Sequence, residues 1–269
     1  MCTMFMKRDQ ENALLFAAKT VDTPDTVLTF DYQPSSLQHN GYFFFKMGWQ
    51  EGINSGMNEA GLAVLSSYAS LTEHPPSKNS ELVDTRGTAN EYVLQHCSHV
   101  QDGLQTLERQ LQQTPSDVGG IHFLVDANYT IGILEHDPVT REIQQQIIAD
   151  NSVIRANHPL LLKGRGAEGS DRSMRYEKAT QAIENIQGKA WLAHLQELLS
   201  QHVAPGEDQL GQLCIHQFEN TGSRSKDLTP HSTATALIFD VANKRFIYSE
   251  GSPCNGQWKI LSMDEKVVR

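Results

Sequence analysis

The sequence predicts an α+β fold in which antiparallel sheets are covered by helices. Three observations carry this. Strand-like and helix-like stretches come in segregated runs (strands, helices, strands, helices, strands), with no regular βαβ alternation. Apolar runs are paired across short polar turns, as in hairpins. The helical stretches lie between the strand blocks and start near residues able to cap a helix.

The elements follow in order. Residues 2–7 and 13–20 are apolar-rich and flank the polar turn Arg8-Asp9-Gln10-Glu11-Asn12, which predicts a first hairpin. Residues 27–32 and 42–49 read as further strands, the second rich in aromatics, which suit a pleated half-buried surface. Gly56-Met57-Asn58-Glu59-Ala60-Gly61 predicts a turn, because Asn and Gly tolerate positive φ, and residues 62–68 then continue as a buried strand. Pro75-Pro76-Ser77-Lys78-Asn79-Ser80 is a loop. Thr88 is expected to cap a helix running to about Cys97, and a second helix covers about 100–112, starting near Asp102. Residues 121–126 and 130–135 flank the turn Ala127-Asn128-Tyr129 as a second hairpin, and 142–148 is a further strand. Ser170 or Asp171 can cap a helix through Ile186, and 190–202 is another helix. Residues 234–240 and 245–249, joined by Val241-Ala242-Asn243-Lys244, return to β structure. There is no internal repeat, and the Pro-rich loop is too short to mark a boundary, so residues 1–269 are expected to form a single domain.

Composition narrows the function. A chain of 269 residues, 39% hydrophobic and 20% charged, is ordinary for a globular protein and long enough to bury one large core. A net charge of −10 without an evident basic patch argues against nucleic-acid or phosphate binding. The first nine residues carry no apolar signal region, and no stretch approaches the roughly 18–20 apolar residues of a membrane span, so a soluble, cytoplasmic protein is expected. The four cysteines, Cys2, Cys97, Cys214 and Cys254, show no CxxC spacing and no metal-like pairing with histidine, which fits a reducing compartment. Cys97, Cys214 and Cys254 read as core or structural thiols. There is no GxGxxG after a strand, no P-loop and no HExxH, and Gly164-Arg165-Gly166 is too short for a phosphate loop. No metal or organic cofactor is expected. Monomer and homo-oligomer both remain open.

Cys2, directly behind Met1, is the most informative residue. If Met1 is excised, one residue carries both a thiol and a free α-amine. As classes these titrate at about 8.5 and about 7.7–8.0, close enough for the amine to take the thiol proton near neutral pH. Nucleophile and base can thus share a residue, the logic of N-terminal-threonine hydrolases.

Five motifs accompany it: Ala18-Lys19-Thr20-Val21-Asp22, Gly56-Met57-Asn58-Glu59-Ala60-Gly61-Leu62, Ala156-Asn157-His158-Pro159, Ser173-Met174-Arg175-Tyr176 and Gly251-Ser252-Pro253-Cys254. In this order and spacing the chain resembles the N-terminal-nucleophile cysteine hydrolases over nearly its whole length. The branch it resembles most is the acyl-coenzyme A:6-aminopenicillanic acid acyltransferase-like (peptidase C45) group, with penicillin V acylases and bile salt hydrolases as more distant relatives. The resemblance implies a four-layer αββα sandwich, a small N-acyl amide substrate, and roles for six residues. Cys2 would attack the amide carbonyl and become acylated. Asp22 would hold and orient the α-amine, or else it is a strand-end turn residue. Lys19 stands where penicillin V acylases and bile salt hydrolases usually have Arg; it keeps a positive charge, which favours thiolate, but lacks the planar fork, and it could equally face solvent. Asn157 would donate to the oxyanion, or it is a turn residue ahead of Pro159. Tyr68 would offer its backbone N–H to the same oxyanion, or pack as a core aromatic. Arg175 would orient the site, or pair with Asp171 on a helix surface. His158 is read as structural. Tyr42, Phe43, Phe44, Phe45 and Trp49 either line an acyl pocket or, as alternating strand residues do more often, fill a core.

The expected reaction is hydrolysis of a linear amide C–N bond through a Cys2 thioester. Acyl transfer to an amine is the alternative enzyme reading. Fungal acyltransferases of this kind carry a long pro-segment ahead of the cysteine, whereas Met1 alone precedes it here. A catalytically inactive homologue that binds small amides is the third reading, prompted by Lys19.

Overall fold

Period-two alternation of apolar residues gives β2 two apolar faces and places it between two cores. A computed structural model of the protein describes residues 2–72, 82–166, 169–204, 206–218 and 230–266; the Pro75–Ser80 loop lies outside them. Six strands form one sheet: β1 (Met4–Asp9), β2 (Leu14–Thr23), β10 (Ser152–Arg155), β11 (Ser232–Asp240), β12 (Arg245–Ser249) and β13 (Trp258–Ser262), in the order β10-β1-β2-β11-β12-β13. Seven strands form the other, side by side in chain order: β3 (Leu28–Gln33), β4 (Tyr42–Met47), β5 (Ser55–Asn58), β6 (Ala63–Tyr68), β7 (Gly120–Val125), β8 (Ile131–His136) and β9 (Ile143–Ile147). Every neighbouring pair is antiparallel.

Leu15, Ala17 and Val21 of β2 pack between the sheets with Phe43, Phe45, Leu65, Phe123, Phe239 and Phe246. The alternate residues Leu14, Phe16 and Ala18 face the other way, onto α3 (Ser170–Ile183) and α4 (Trp191–Ser200), where Ile183, Leu195 and Leu199 cover them. The seven-stranded sheet is covered by α1 (Arg86–His96) and α2 (Val100–Gln113), through Val93, Leu94, Leu104 and Leu107. The layers are therefore αββα, the sandwich that the resemblance implied. Each fully buried large apolar side chain contributes about 1.5–3 kcal/mol, so the three clusters together outweigh local propensity in fixing the layers.

Several elements differ from expectation. Gly56, Met57 and Asn58 belong to β5, and the turn lies just beyond, where the Asn58 side chain accepts the Leu62 N–H at 3.0 Å and Gly61 takes φ 84°. Helix α1 begins at Arg86; the Thr88 hydroxyl donates to the Thr85 carbonyl at 2.9 Å inside the first turn and caps nothing. Helix α2 begins at Val100, whose N–H is accepted at 2.8 Å by Asp126 from the β7–β8 turn, a cap supplied from far along the chain. Helix α3 ends at Ile183, three residues before the expected Ile186. Strands β10 and β13 were not expected. Both are short edge strands whose apolar pattern is too brief to separate from loop.

The face of β7 and β8 beneath α1 is polar at one end. His122 and His136 are buried with ring centroids 5.4 Å apart, and neither Nε2 has a hydrogen-bond partner among the described residues. Burial, followed by the nearby Arg86 cation, pushes His136 down to about 3. An unfolded-chain histidine takes up its proton near 6.5, whereas the folded one resists until about 3. The fold thus binds fewer protons than the unfolded chain across that window, and stability falls as pH falls through it. We expect the thermal midpoint to drop between pH 6.5 and about 3 by an amount corresponding to a few kcal/mol, and His136→Leu to flatten that slope. An unchanged slope in the variant would show that His136 does not carry it.

Candidate active site

The register of β1 places Cys2. Met4 lies opposite Lys19 of β2 on one side and opposite Arg155 of β10 on the other. Continuing both registers past the end of β1 brings Thr3 to Thr20 and Cys2 level with Asn157. The first contact is made by the Thr20 N–H donating to the Thr3 carbonyl at 3.0 Å and the Thr3 N–H donating to the Thr20 hydroxyl at 3.1 Å. The second is made by the Cys2 N–H donating to Asn157 Oδ1 at 2.6 Å. Cys2 is partly exposed, while Thr3 behind it is fully buried.

Asn157 sits just beyond β10 at φ 67°, a left-handed conformation that Asn tolerates better than most residues. Its carboxamide is oriented by two partners of fixed polarity. Oδ1 accepts from the Cys2 nitrogen, and Nδ2 donates to the Tyr68 carbonyl at 2.8 Å. The Asn157 carbonyl in turn accepts the Ser70 N–H at 2.6 Å. An amide nitrogen carries two hydrogens, so one remains to donate after Tyr68 is served. Tyr68 ends β6, and its side chain is 40% exposed, which excludes the core-aromatic alternative.

The turn carrying Asn157 is held from the opposite sheet. Buried Glu135 of β8 accepts from Arg155 at 2.9 Å and from the N–H groups of Leu160 and Leu161 at 3.1 and 2.7 Å. One carboxylate therefore ties the edge of the six-stranded sheet to the loop that follows it.

Arg175, on α3, is 1% exposed. Its Nε donates to Asp171 one turn earlier at 2.8 Å, the pair available from i,i+4 spacing. The guanidinium does not stop at the helix surface. Nη1 donates to the Cys2 carbonyl at 3.0 Å and to the Thr3 hydroxyl at 2.8 Å, and Nη2 reaches Asn157 Oδ1 at 3.4 Å. Arg175 thus pairs with Asp171, though buried and not on a helix surface, and it also binds the backbone of the Cys2 segment.

Lys19 is fully buried, which removes the solvent-facing alternative. Its Nζ donates to Asn54 Oδ1 at 2.7 Å and to the Ser66 carbonyl at 2.5 Å. Burial holds it below the ordinary lysine range, and the Cys2 side chain, by charge and by hydrogen bond, acts in the opposite direction. A supporting chain runs on from there: Asn90 of α1 donates to the Ser66 hydroxyl at 3.0 Å and to the Asn54 carbonyl at 3.2 Å, and His122 Nδ1 meets Asn90 Oδ1 at 2.9 Å. Asp22, near the end of β2, is buried and accepts from the Thr233 hydroxyl at 2.7 Å. Burial raises its carboxyl above the ordinary range, with Arg175 and the Thr233 bond working the other way.

All six residues singled out from sequence belong to the elements that meet around Cys2. Thr3, Asn54, Ser66, Glu135 and Thr233 were missed. Their partners are 20 or more residues away in most cases, so spacing gives no signal; only the Asp171–Arg175 pair was legible, through its i,i+4 interval. His158 stacks edge-on to Tyr176 at 5.1 Å. The aromatic run does not gather into one pocket. Phe43 and Phe45 lie in the core between the sheets, Tyr42 and Phe44 face α1 and α2, and Trp49 is exposed.

The family model described as acyl-coenzyme A:6-aminopenicillanic acid acyl-transferase matches residues 10–251. No curated protein sequence matches. Among solved structures, penicillin V acylase from Agrobacterium tumefaciens is similar with a TM-score of 0.59 at 16% identity, covering 93% of this chain and 83% of that one. A variant of conjugated bile acid hydrolase from Clostridium perfringens is similar with a TM-score of 0.61 at 11% identity, covering 98% of this chain and 93% of that one. At these identities the two structures establish the fold alone.

The Arg175 contacts predict a stability effect separate from any chemistry. Arg175→Met leaves the buried Asp171 without its cation and the Cys2 carbonyl and Thr3 hydroxyl without a donor, so it should cost about 3–5 kcal/mol in urea unfolding. Arg175→Lys should recover only part, because a point charge cannot serve all these acceptors. A loss below about 0.5 kcal/mol in Arg175→Met would contradict the geometry.

Proposed function

The chain belongs to the acyl-coenzyme A:6-aminopenicillanic acid acyl-transferase family, and from that premise we propose that it hydrolyses a linear amide C–N bond in a small N-acyl substrate, with Cys2 as nucleophile once Met1 has been removed. The observation that carries the proposal is the 2.6 Å bond between the Cys2 nitrogen and Asn157 Oδ1. The atom that becomes the α-amine is already aimed and held, with the thiol on the same residue and the Lys19 cation beside it.

The steps follow from these positions. The α-amine takes the thiol proton, and the sulfur attacks the substrate carbonyl to form a C–S bond. Charge that develops on the carbonyl oxygen is met by the remaining Nδ2 hydrogen of Asn157 and the Tyr68 backbone N–H; removing one such donor typically costs about 10²–10³ in rate. The ammonium returns its proton to the leaving nitrogen as the C–N bond breaks, leaving a thioester and a free amine. Water, deprotonated by the same amine, attacks the thioester; the C–S bond breaks and the carboxylic acid departs. Asp22 holds the ammonium form through its charge, and Arg175 fixes the Cys2 carbonyl so that the nitrogen does not swing away. The neighbours' names, an acylase and a hydrolase of conjugated bile acids, support an amide substrate.

The family's name favours a second reading, in which an amine replaces water at the thioester and the product is a new amide. The buried Lys19, held by Asn54 and Ser66 where its charge acts on Cys2, counts against an inactive binding homologue.

The test is a substrate panel of N-acyl amino acids, β-lactam amides, bile-salt conjugates and small amine amides, read by product analysis and by intact mass after rapid quench. The expected outcome is free acid and amine, with a transient mass increase of one acyl group mapping to Cys2 and absent in Cys2→Ala. Amide product exceeding free acid when a second amine is supplied would establish transfer instead, and turnover by Cys2→Ala would overturn the mechanism.

A further inference from the structure

Away from Cys2, the fold assembles two cysteines and two histidines from three separated stretches. His202 follows the end of α4, Cys214 and His216 lie on the segment leading toward β11, and Cys254 sits in the single 3-10 turn Pro253–Asn255. His216 Nε2 lies 3.4 Å from Cys254 Sγ and 3.7 Å from Cys214 Sγ. The His202 ring meets the His216 ring edge-on at 5.3 Å, and ligand atoms of His202, His216 and Cys254 all fall within 4.8 Å of one another. The sequence intervals gave no hint of this pairing; long-range packing creates it.

The two sulfur-to-nitrogen distances at His216 match a known coordination geometry. A tetrahedral zinc ion binds sulfur at about 2.3 Å and imidazole nitrogen at about 2.0–2.1 Å, which sets the sulfur-to-nitrogen edge of the tetrahedron at about 3.5 Å. The two measured edges bracket that value. The outer partners fit too. His202 Nδ1 lies 3.2 Å from the Ser200 carbonyl, which directs a proton to Nδ1 and leaves Nε2 its lone pair, the arrangement that orients metal-binding histidines. Gln209 clamps the backbone of His216 from both sides, accepting its N–H at 2.6 Å and donating to its carbonyl at 2.7 Å. The Ser200 hydroxyl donates to the Pro253 carbonyl at 3.0 Å, and the Cys214 N–H donates to the Gln201 carbonyl at 3.1 Å, so all three stretches are tied together.

We propose that His202, His216 and Cys254, whose ligand atoms already lie together, hold a soft divalent cation, zinc in the first place, and that Cys214, now next to His216 alone, moves in as the fourth ligand. With Cys214 as the fourth ligand its role is structural, because four protein ligands leave no open position. It also lies behind the candidate active site. The Ile215 N–H, between two of the ligands, donates at 2.9 Å to the Thr233 hydroxyl that in turn donates to Asp22. A bound ion would therefore stiffen the segment that positions the Asp22 carboxylate.

The full chain, reduced and stripped with a chelator, should be titrated with Co(II) and then Zn(II). The proposal expects thiolate-to-cobalt charge transfer with tetrahedral ligand-field bands, saturation at one ion per chain, and displacement by zinc. His202→Ala, a change at an exposed residue that leaves folding intact, should weaken binding by at least about tenfold, and Cys254→Ser should remove the thiolate band or halve it. Cys2→Ser should leave binding unchanged. Absence of the thiolate band, its loss in Cys2→Ser but not in Cys254→Ser, or recovery of a Cys214–Cys254 disulfide from freshly reduced protein that takes up no metal would each overturn the proposal.

Discussion

The bond between the Cys2 nitrogen and the Asn157 side chain is the constraint on which the candidate site depends. It joins the start of the chain to a turn 155 residues later, and it does so across the end of the β1–β10 pairing. One strand slipped by one residue would turn Cys2 to the wrong face of the sheet, because side chains alternate with a period of two. The two apolar faces of β2 therefore do more than build layers. By fixing the β1–β2 register they fix which nitrogen Asn157 can reach.

Around that bond donors and acceptors are paired in one network. Asn157 spends its oxygen on Cys2 and one hydrogen on Tyr68; Arg175 serves Asp171, the Cys2 carbonyl and the Thr3 hydroxyl; Lys19 serves Asn54 and the Ser66 carbonyl. Buried polar groups are costly unless satisfied, and here each satisfies another. Two cations and one raised carboxyl lie within this network, at the end of a sheet where a substrate carbonyl would approach a partly exposed thiol. Glu135 and Asn90 hold the network from the second sheet and from α1, so both sheets are needed to keep it in place.

Much of this was legible in the sequence. The segregation of strands and helices gave the α+β class, the hairpin turn after Arg8 gave the β1–β2 pairing, and ordered short motifs located Cys2, Lys19, Asp22, Tyr68, Asn157 and Arg175. What sequence could not supply was any partner set by distant register. The Asp126 cap on α2, the Glu135 hold on residues 160–161 and the Thr233 bond to Asp22 each span 20 or more residues and depend on how sheets stack. The gathering of His202, His216, Cys214 and Cys254 belongs to the same class: a spacing rule finds metal ligands that are close in sequence, and these become neighbours only after β11, β12 and α4 are packed.

The central claim is that the nitrogen Asn157 holds becomes the base for the sulfur on the same residue. Single-turnover acylation of Cys2, compared between chains that retain Met1 and chains from which it has been removed, tests this most directly. The account predicts that removal of Met1 raises the acylation rate by about 10²–10⁴, the usual worth of a positioned proton acceptor, while the fold and the thiol content stay the same. Equal acylation rates in the two forms would contradict it and assign the proton to another group.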